Sequence, residues 1–127
     1  MKLLIDTHIL LQAAAATLSK QAAVHIEDEE NTLYFSSASI WEVVIKNGLG
    51  RNDFIIDPVA LYSGLLEAGY IEIGIKAQHS LLVSNLPMLH KDPFDRILVA
   101  QAAFEGIPLL TSDKIVARYP VSIIYVE

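Results

Sequence analysis

Four acidic residues, Asp6, Glu42, Asp95 and Asp113, stand where the chain passes from one apolar run to the next. Two of them are set directly against apolar stretches, in Leu3-Leu4-Ile5-Asp6 and in Asp95-Arg96-Ile97-Leu98. Carboxylates gathered in such surroundings repel one another and resist ionisation, so a cluster of four needs a compensating cation. Hard oxygen ligands select Mg²⁺ or Mn²⁺, and the chain has no cysteine to favour a softer metal. Such a centre suits phosphodiester hydrolysis: the cation lowers the pKa of a water, orients it and stabilises the charge growing on phosphorus. One ion or two would serve.

Taken singly, each acid has a structural explanation. Ser39 and Glu42 have the S-x-x-E spacing of a capping box. Asp92-Pro93-Phe94-Asp95 reads as an N-cap, a proline in the first helical position and an acid favoured by the helix dipole. Asp6 and Asp113 could cap the turns or helices that follow them. What separates catalysis from capping is whether the four meet.

Short β-rich runs at residues 2–5, 32–36, 70–75, 107–111 and 121–126 read as strands. Helices are expected over 7–16, 19–27, 38–47, 58–68, 76–84 and 93–105, with Gly48-Leu49-Gly50, Gly69 and Gly106 as stops and Pro58 as a start. This alternation predicts an α/β fold with a mostly parallel five-stranded sheet flanked by helices on both faces. Ligands of such sheets bind beyond the carboxyl ends of the strands. Asp6 directly follows the first strand, and Asp113 closely follows the fourth. Glu42 lies early in the helix after the second strand, which begins at the same edge. Asp95 opens the helix leading into the fourth strand, and its position depends on the tertiary fold.

A length of 127 residues suits one domain, 1–127, and 53% hydrophobic residues with a mean hydropathy of +0.41 suffice for a sizeable core. Asp6 and His8 interrupt the apolar run that a signal peptide would need at the N-terminus, and no run of about 20 apolar residues could span a membrane. A cytoplasmic location is expected, with no membrane partner. The net charge of −6 runs against a nucleic-acid ligand, since Lys and Arg supply most of that affinity. The objection weakens if several of the acids face bound cations.

The same residues carry a family resemblance. Leu4-Ile5-Asp6-Thr7-His8-Ile9-Leu10-Leu11, Ser36-Ser37-Ala38-Ser39-Ile40-Trp41-Glu42, Asp92-Pro93-Phe94-Asp95-Arg96-Ile97-Leu98-Val99-Ala100-Gln101-Ala102 and Leu110-Thr111-Ser112-Asp113 resemble PIN-domain proteins of the VapC type, in that family's order and spacing. The resemblance implies a PIN fold with strand order 3-2-1-4-5 and Mg²⁺- or Mn²⁺-dependent endoribonuclease activity. It implies Asp6, Glu42, Asp95 and Asp113 as catalytic and metal-binding residues, with the Thr111 hydroxyl in support. The implied partners are an RNA substrate, a cognate VapB-like antitoxin and a second copy of the chain. Gln12, the run of alanines 13–16 and Ser112 depart from the family's usual residues, but no carboxylate is lost.

Around these four stand residues with two readings each. Asp92 suits an outer acid or the N-cap of its helix. Arg96 suits a phosphate contact or a carboxylate partner. Lys46, one helical turn past Glu42, suits neutralisation of the cluster. Ser39 suits a cap or a supporting hydroxyl. His8, His90 and Lys91 flank the site, with a solvated rim expected for the last two. Trp41 is expected in the core or a dimer interface, Arg51 and Lys114 against an RNA backbone, and residues 27–30 in solvent. Two other classes compete with the nuclease: a catalytically inactive PIN module that only binds a partner, and a phosphoacceptor receiver domain. The receiver would want paired acids after its first strand, where Asp6 stands alone.

Overall fold

Unbroken burial along a single short strand shows why the chain folds in layers. The computed structural model describes residues 1–49 and 56–127. In β1 (Lys2–Ile5), Leu3 and Ile5 face one side of the sheet and Leu4 the other, and all three are fully buried. A strand covered on both faces cannot alternate with polar residues, which is why it reads as an unbroken apolar run.

The order along the chain is β1, α1 (Thr7–Ala14), α2 (Lys20–Ile26), β2 (Thr32–Ser36), α3 (Ser37–Gly48), α4 (Pro58–Glu67) and β3 (Ile71–Ile73). Then come α5 (Ala77–Val83), α6 (Pro93–Glu105), β4 (Leu109–Thr111), a short 3-10 helix (Val116–Arg118) and β5 (Ile123–Tyr125). The five strands pair in parallel in the order β3-β2-β1-β4-β5. The expected fold class and strand order are therefore those observed. No helix among the described residues is long and apolar enough to cross a membrane.

Two cores lie on opposite faces of the sheet. Ile9, Leu10, Ala22, Val43, Leu61 and Leu65 of α1 to α4 pack on Leu3, Ile5, Phe35 and Leu110. Leu98, Val99 and Ala102 of α6 pack on Leu4, Leu109 and Tyr119. α6 ends at Gly106, whose φ of 68° lies in the left-handed region that glycine enters without strain.

The last three strands are shorter than their apolar runs. The Tyr70 amide donates to the Leu65 carbonyl, and the Ile107 amide to the Ala102 carbonyl, each at the end of the preceding helix. Both residues are buried, so their apolar character serves helix termination and the core without joining a ladder. The 3-10 helix was not expected, and neither was the end of α1 at Ala14. Ala16, with a φ of 57°, turns the chain away there.

Leu110 is fully buried in β4 between β1 and β5. Leu110→Ala should cost about 2–5 kcal/mol of stability, measured by urea unfolding. Val59→Ala, on the exposed side of α4, should stay within about 0.5 kcal/mol.

Candidate functional site

All five strands point the same way, so their carboxyl ends share one edge. β1 hands over to Asp6, whose amide continues the ladder by donating to the Leu110 carbonyl at 3.0 Å. β2 hands over to α3, with the Ser36 hydroxyl accepting from the Ala38 amide as its N-cap. α6 must run back across the sheet to deliver the chain into β4, so its first turn, with Asp95, begins at that same edge. Asp113 follows β4 within two residues.

A cleft of ≈ 380 Å³ opens at this edge. Among the described residues it is lined by the carboxylates of Asp6, Glu42, Asp92, Asp95 and Asp113 and by the ammonium of Lys46. The four acids singled out from the sequence thus meet in one cleft, although each of the three aspartates lies at or beside a cap. Asp6 accepts from the His8 amide at 3.1 Å as N-cap of α1. Its other oxygen accepts from the Thr111 hydroxyl at 2.5 Å. That hydroxyl also accepts from the Asp113 amide at 3.0 Å, so Thr111 spans two acids. Asp92 is the N-cap of α6, accepting from the Phe94 amide at 2.8 Å, and also faces the cleft. Asp113 Oδ1 accepts from the amides of Ile115 and Val116, closing the turn that leads into the 3-10 helix.

Glu42 departs from the capping reading. Ser36, not Ser39, caps α3, and the Ser39 hydroxyl pairs with that of Thr7 at 2.7 Å. No capping box forms, because α3 starts at Ser37 and Ser39 already lies inside its first turn. Glu42 is nearly fully buried, with Oε2 held by Lys46 Nζ at 2.6 Å. Its Oε1 has no hydrogen-bond partner among the described residues. A buried, unpartnered carboxylate oxygen is costly in a folded protein and calls for a missing positive group.

The electrostatics point the same way. Burial, then the charges of Asp6, Asp92 and Glu42, push the Asp95 carboxyl up to about 7, with His90 pulling against them. Burial also raises Asp6 against the hydrogen bonds from Thr111 and His8. For Asp113, burial works upward, but the amides of Val116 and Ile115 and the His90 ring outweigh it, and the carboxyl lies below its ordinary value.

Arg96 stands elsewhere than expected, and of the two places expected for Trp41 the core is not the one observed. Arg96 makes neither a phosphate-facing nor a carboxylate contact. It is buried, donating to the carbonyls of Pro87 and Val83 and to the Tyr119 hydroxyl. It fixes the segment that leads into α6. Trp41 is 58% exposed and lies outside the core, edge-on to Phe94 at 5.3 Å between ring centroids. His8, Lys91 and Lys114 are exposed, as are residues 27–30. Arg51 and Gly50 lie outside the described residues.

Sequence reasoning left His90 on a solvated rim. Instead its Nε2 reaches Oδ2 of both Asp95 and Asp113, at 3.1 Å each. The one local signal is a histidine two residues before a capping aspartate. There the turn folds the ring back, and Nδ1 accepts the Asp92 amide at 3.1 Å.

The PIN domain family model matches residues 3–121, and the chain belongs to the PIN domain family. Among solved structures, VapBC2 from Rickettsia felis bound to a promoter DNA fragment is similar at a TM-score of 0.73, with 17% identity over 98% of each chain. DNA-bound VapBC from Salmonella typhimurium is similar at 0.71, with 13% identity over 98% of each chain. FitAcB from Neisseria gonorrhoeae is similar at 0.62, with 14% identity over 96% of each. No curated protein matches the chain.

The raised Asp95 carboxyl has a consequence for stability. An unfolded Asp titrates near 4. Between that value and about 7 the folded protein holds a proton the unfolded chain has released, so stability falls as pH rises through this window. Asp6 acts in the same direction. In EDTA, the melting temperature of the wild type should fall from pH 5 to pH 8, and Asp95→Asn should make that fall shallower. An equal fall in the variant would show that the Asp95 charge is not penalised.

Proposed function

We propose that this protein is a metal-dependent endoribonuclease, the VapC-like toxin half of a toxin–antitoxin pair. Its centre would be Asp6, Glu42, Asp95 and Asp113 in one PIN domain spanning 1–127. The observation that carries this reading is the buried Glu42 Oε1, without a partner among the described residues, in a cleft where the Asp95 carboxyl is pushed up to about 7. Oxygen donors of this kind fit Mg²⁺ or Mn²⁺. When bound, the cation supplies the positive charge that acidifies a water and offsets charge on the phosphate.

The chain's own residues prepare the site. Asp6, Asp95 and Asp113 would hold the cation, with Glu42 either binding it or orienting the attacking water. Thr111 keeps Asp6 turned toward the cleft, and Lys46 neutralises one oxygen of Glu42. Phosphate would approach from the open side, where His8 is exposed. The likeness to toxin–antitoxin complexes supports an antitoxin as partner. Exposed Trp41, Val44 and Ile45 along α3 support a second copy of the chain.

The test is cleavage of a labelled RNA panel with Mg²⁺, Mn²⁺ or EDTA, wild type beside Asp6→Asn. Loss of one ligand's share of charge stabilisation, about 3 kcal/mol, lowers the rate roughly a hundredfold. Asp6→Asn should show at least that loss with unchanged circular dichroism, and EDTA should abolish cleavage. Full activity in the variant, or in EDTA, would sink the mechanism. A wild type that binds Mn²⁺ but cuts no RNA would favour the binding-module reading.

A further inference from the structure

His90 sits between two of the acids just described, and its surroundings fix what it can do there. Its ligand atom and those of Asp95 and Asp113 all lie within 4.8 Å of one another, close enough for a shared cation. Two roles are open to such a ring: a third ligand through the Nε2 lone pair, or an N–H donor to the two carboxylates. The other ring nitrogen decides. Nδ1 accepts the backbone amide of Asp92 at 3.1 Å, so its lone pair is occupied and the neutral ring carries its proton on Nε2. A metal ligand would need the opposite tautomer and would leave the Asp92 amide facing an N–H.

The ring is also held from behind. The His90 amide donates to the Tyr119 hydroxyl at 2.9 Å. That hydroxyl accepts from buried Arg96 at 3.1 Å, and Arg96 binds the Pro87 and Val83 carbonyls of the same segment. A residue on a solvated rim would not be anchored at backbone, ring and flanking carbonyls.

The geometry points to His90 as a positioning residue: its Nε2–H donates to Oδ2 of Asp113 and faces Oδ2 of Asp95 at 3.1 Å, and so sets the spacing of these two carboxylates for the cation. The inference rests on the metal-site reading above. With Oδ1 of Asp113 taken by two amides and Oδ2 by His90, that carboxylate has little freedom to turn. Such outer partners orient ligands, and their loss weakens metal affinity by roughly 10–100-fold.

The experiment is Mn²⁺ binding, followed by electron paramagnetic resonance on wild type, His90→Ala and His90→Gln, with thermal unfolding of each. His90→Ala should bind Mn²⁺ at least about tenfold more weakly. His90→Gln, which places an N–H near the position of Nε2, should recover most of the loss. Electron spin-echo modulation of the wild-type Mn²⁺ complex should show no directly coordinated imidazole nitrogen. A coordinated nitrogen would overturn the proposal even if His90→Ala failed to fold, and so would wild-type affinity in His90→Ala. A wild type that binds no Mn²⁺ would remove the metal reading itself and this proposal with it. The other outcomes leave that reading standing.

Discussion

Like charges held out of water at short range dominate this molecule's site. Five carboxylates open on one cleft, and two of them, Asp6 and Glu42, are almost fully buried. In a low-dielectric pocket such charges repel strongly, and the protein can respond by protonating a carboxyl, by hydrogen-bonding it or by placing a cation beside it. All three responses are visible. Asp95 is held near neutrality, Asp113 is tied down by amides and by His90, and Lys46 lies against Glu42. What they leave over is Glu42 Oε1, without a hydrogen-bond partner among the described residues. The contrast between Asp95 and Asp113 is the sharpest, since one histidine nitrogen touches both. Asp113 also receives two backbone amides on its other oxygen, and those donors carry it below its ordinary value.

The sheet is what makes this concentration of charge possible. Parallel strands put all their carboxyl ends on one side, and the helix that leaves each strand must begin near there. The amides at helix starts are donors seeking acceptors, so acids are favoured at that edge before any chemistry is considered. Asp6, Asp92 and Asp113 each cap a turn and still face the cleft. Capping and a metal-binding role are therefore compatible uses of one carboxylate. One oxygen is fixed by the backbone, and the side chain is thereby aimed.

This compatibility explains what could be read from the residues alone. The elements and the meeting of Asp6, Glu42 and Asp113 at one edge were legible because apolar periodicity locates the elements and parallel topology then places their ends, whereas the strand order was implied only by the family resemblance. Asp95 depended on the tertiary fold, because only once α6 runs back across the sheet into β4 does its first turn fall at that edge. Less legible was anything set by a side chain's direction. Arg96 is adjacent in sequence to Asp95, yet helical geometry turns it toward Val83, Pro87 and Tyr119 and away from the cleft. Ser39 and Glu42 have the spacing of a capping box, but the helix starts at Ser37 and Ser36 takes the cap. Strand limits at Tyr70 and Ile107 were overestimated because an apolar residue closing a helix looks, in sequence, like the first residue of a strand.

His90 shows where such reading stops and why. Its place depends on Tyr119, 29 residues later, and on a buried arginine whose other partners are carbonyl oxygens. Carbonyls leave no mark on residue type, so nothing in the local sequence reports them. Tyr119 belongs to the core cluster beneath α6, packed with Leu98, Val99 and Val116. Its ring is buried with that cluster while its hydroxyl takes the His90 amide and the Arg96 guanidinium together. The polar edge thus inherits its rigidity from the apolar layer below it. The position of one N–H between Asp95 and Asp113 is set, through Tyr119, by how well α6 packs on β4.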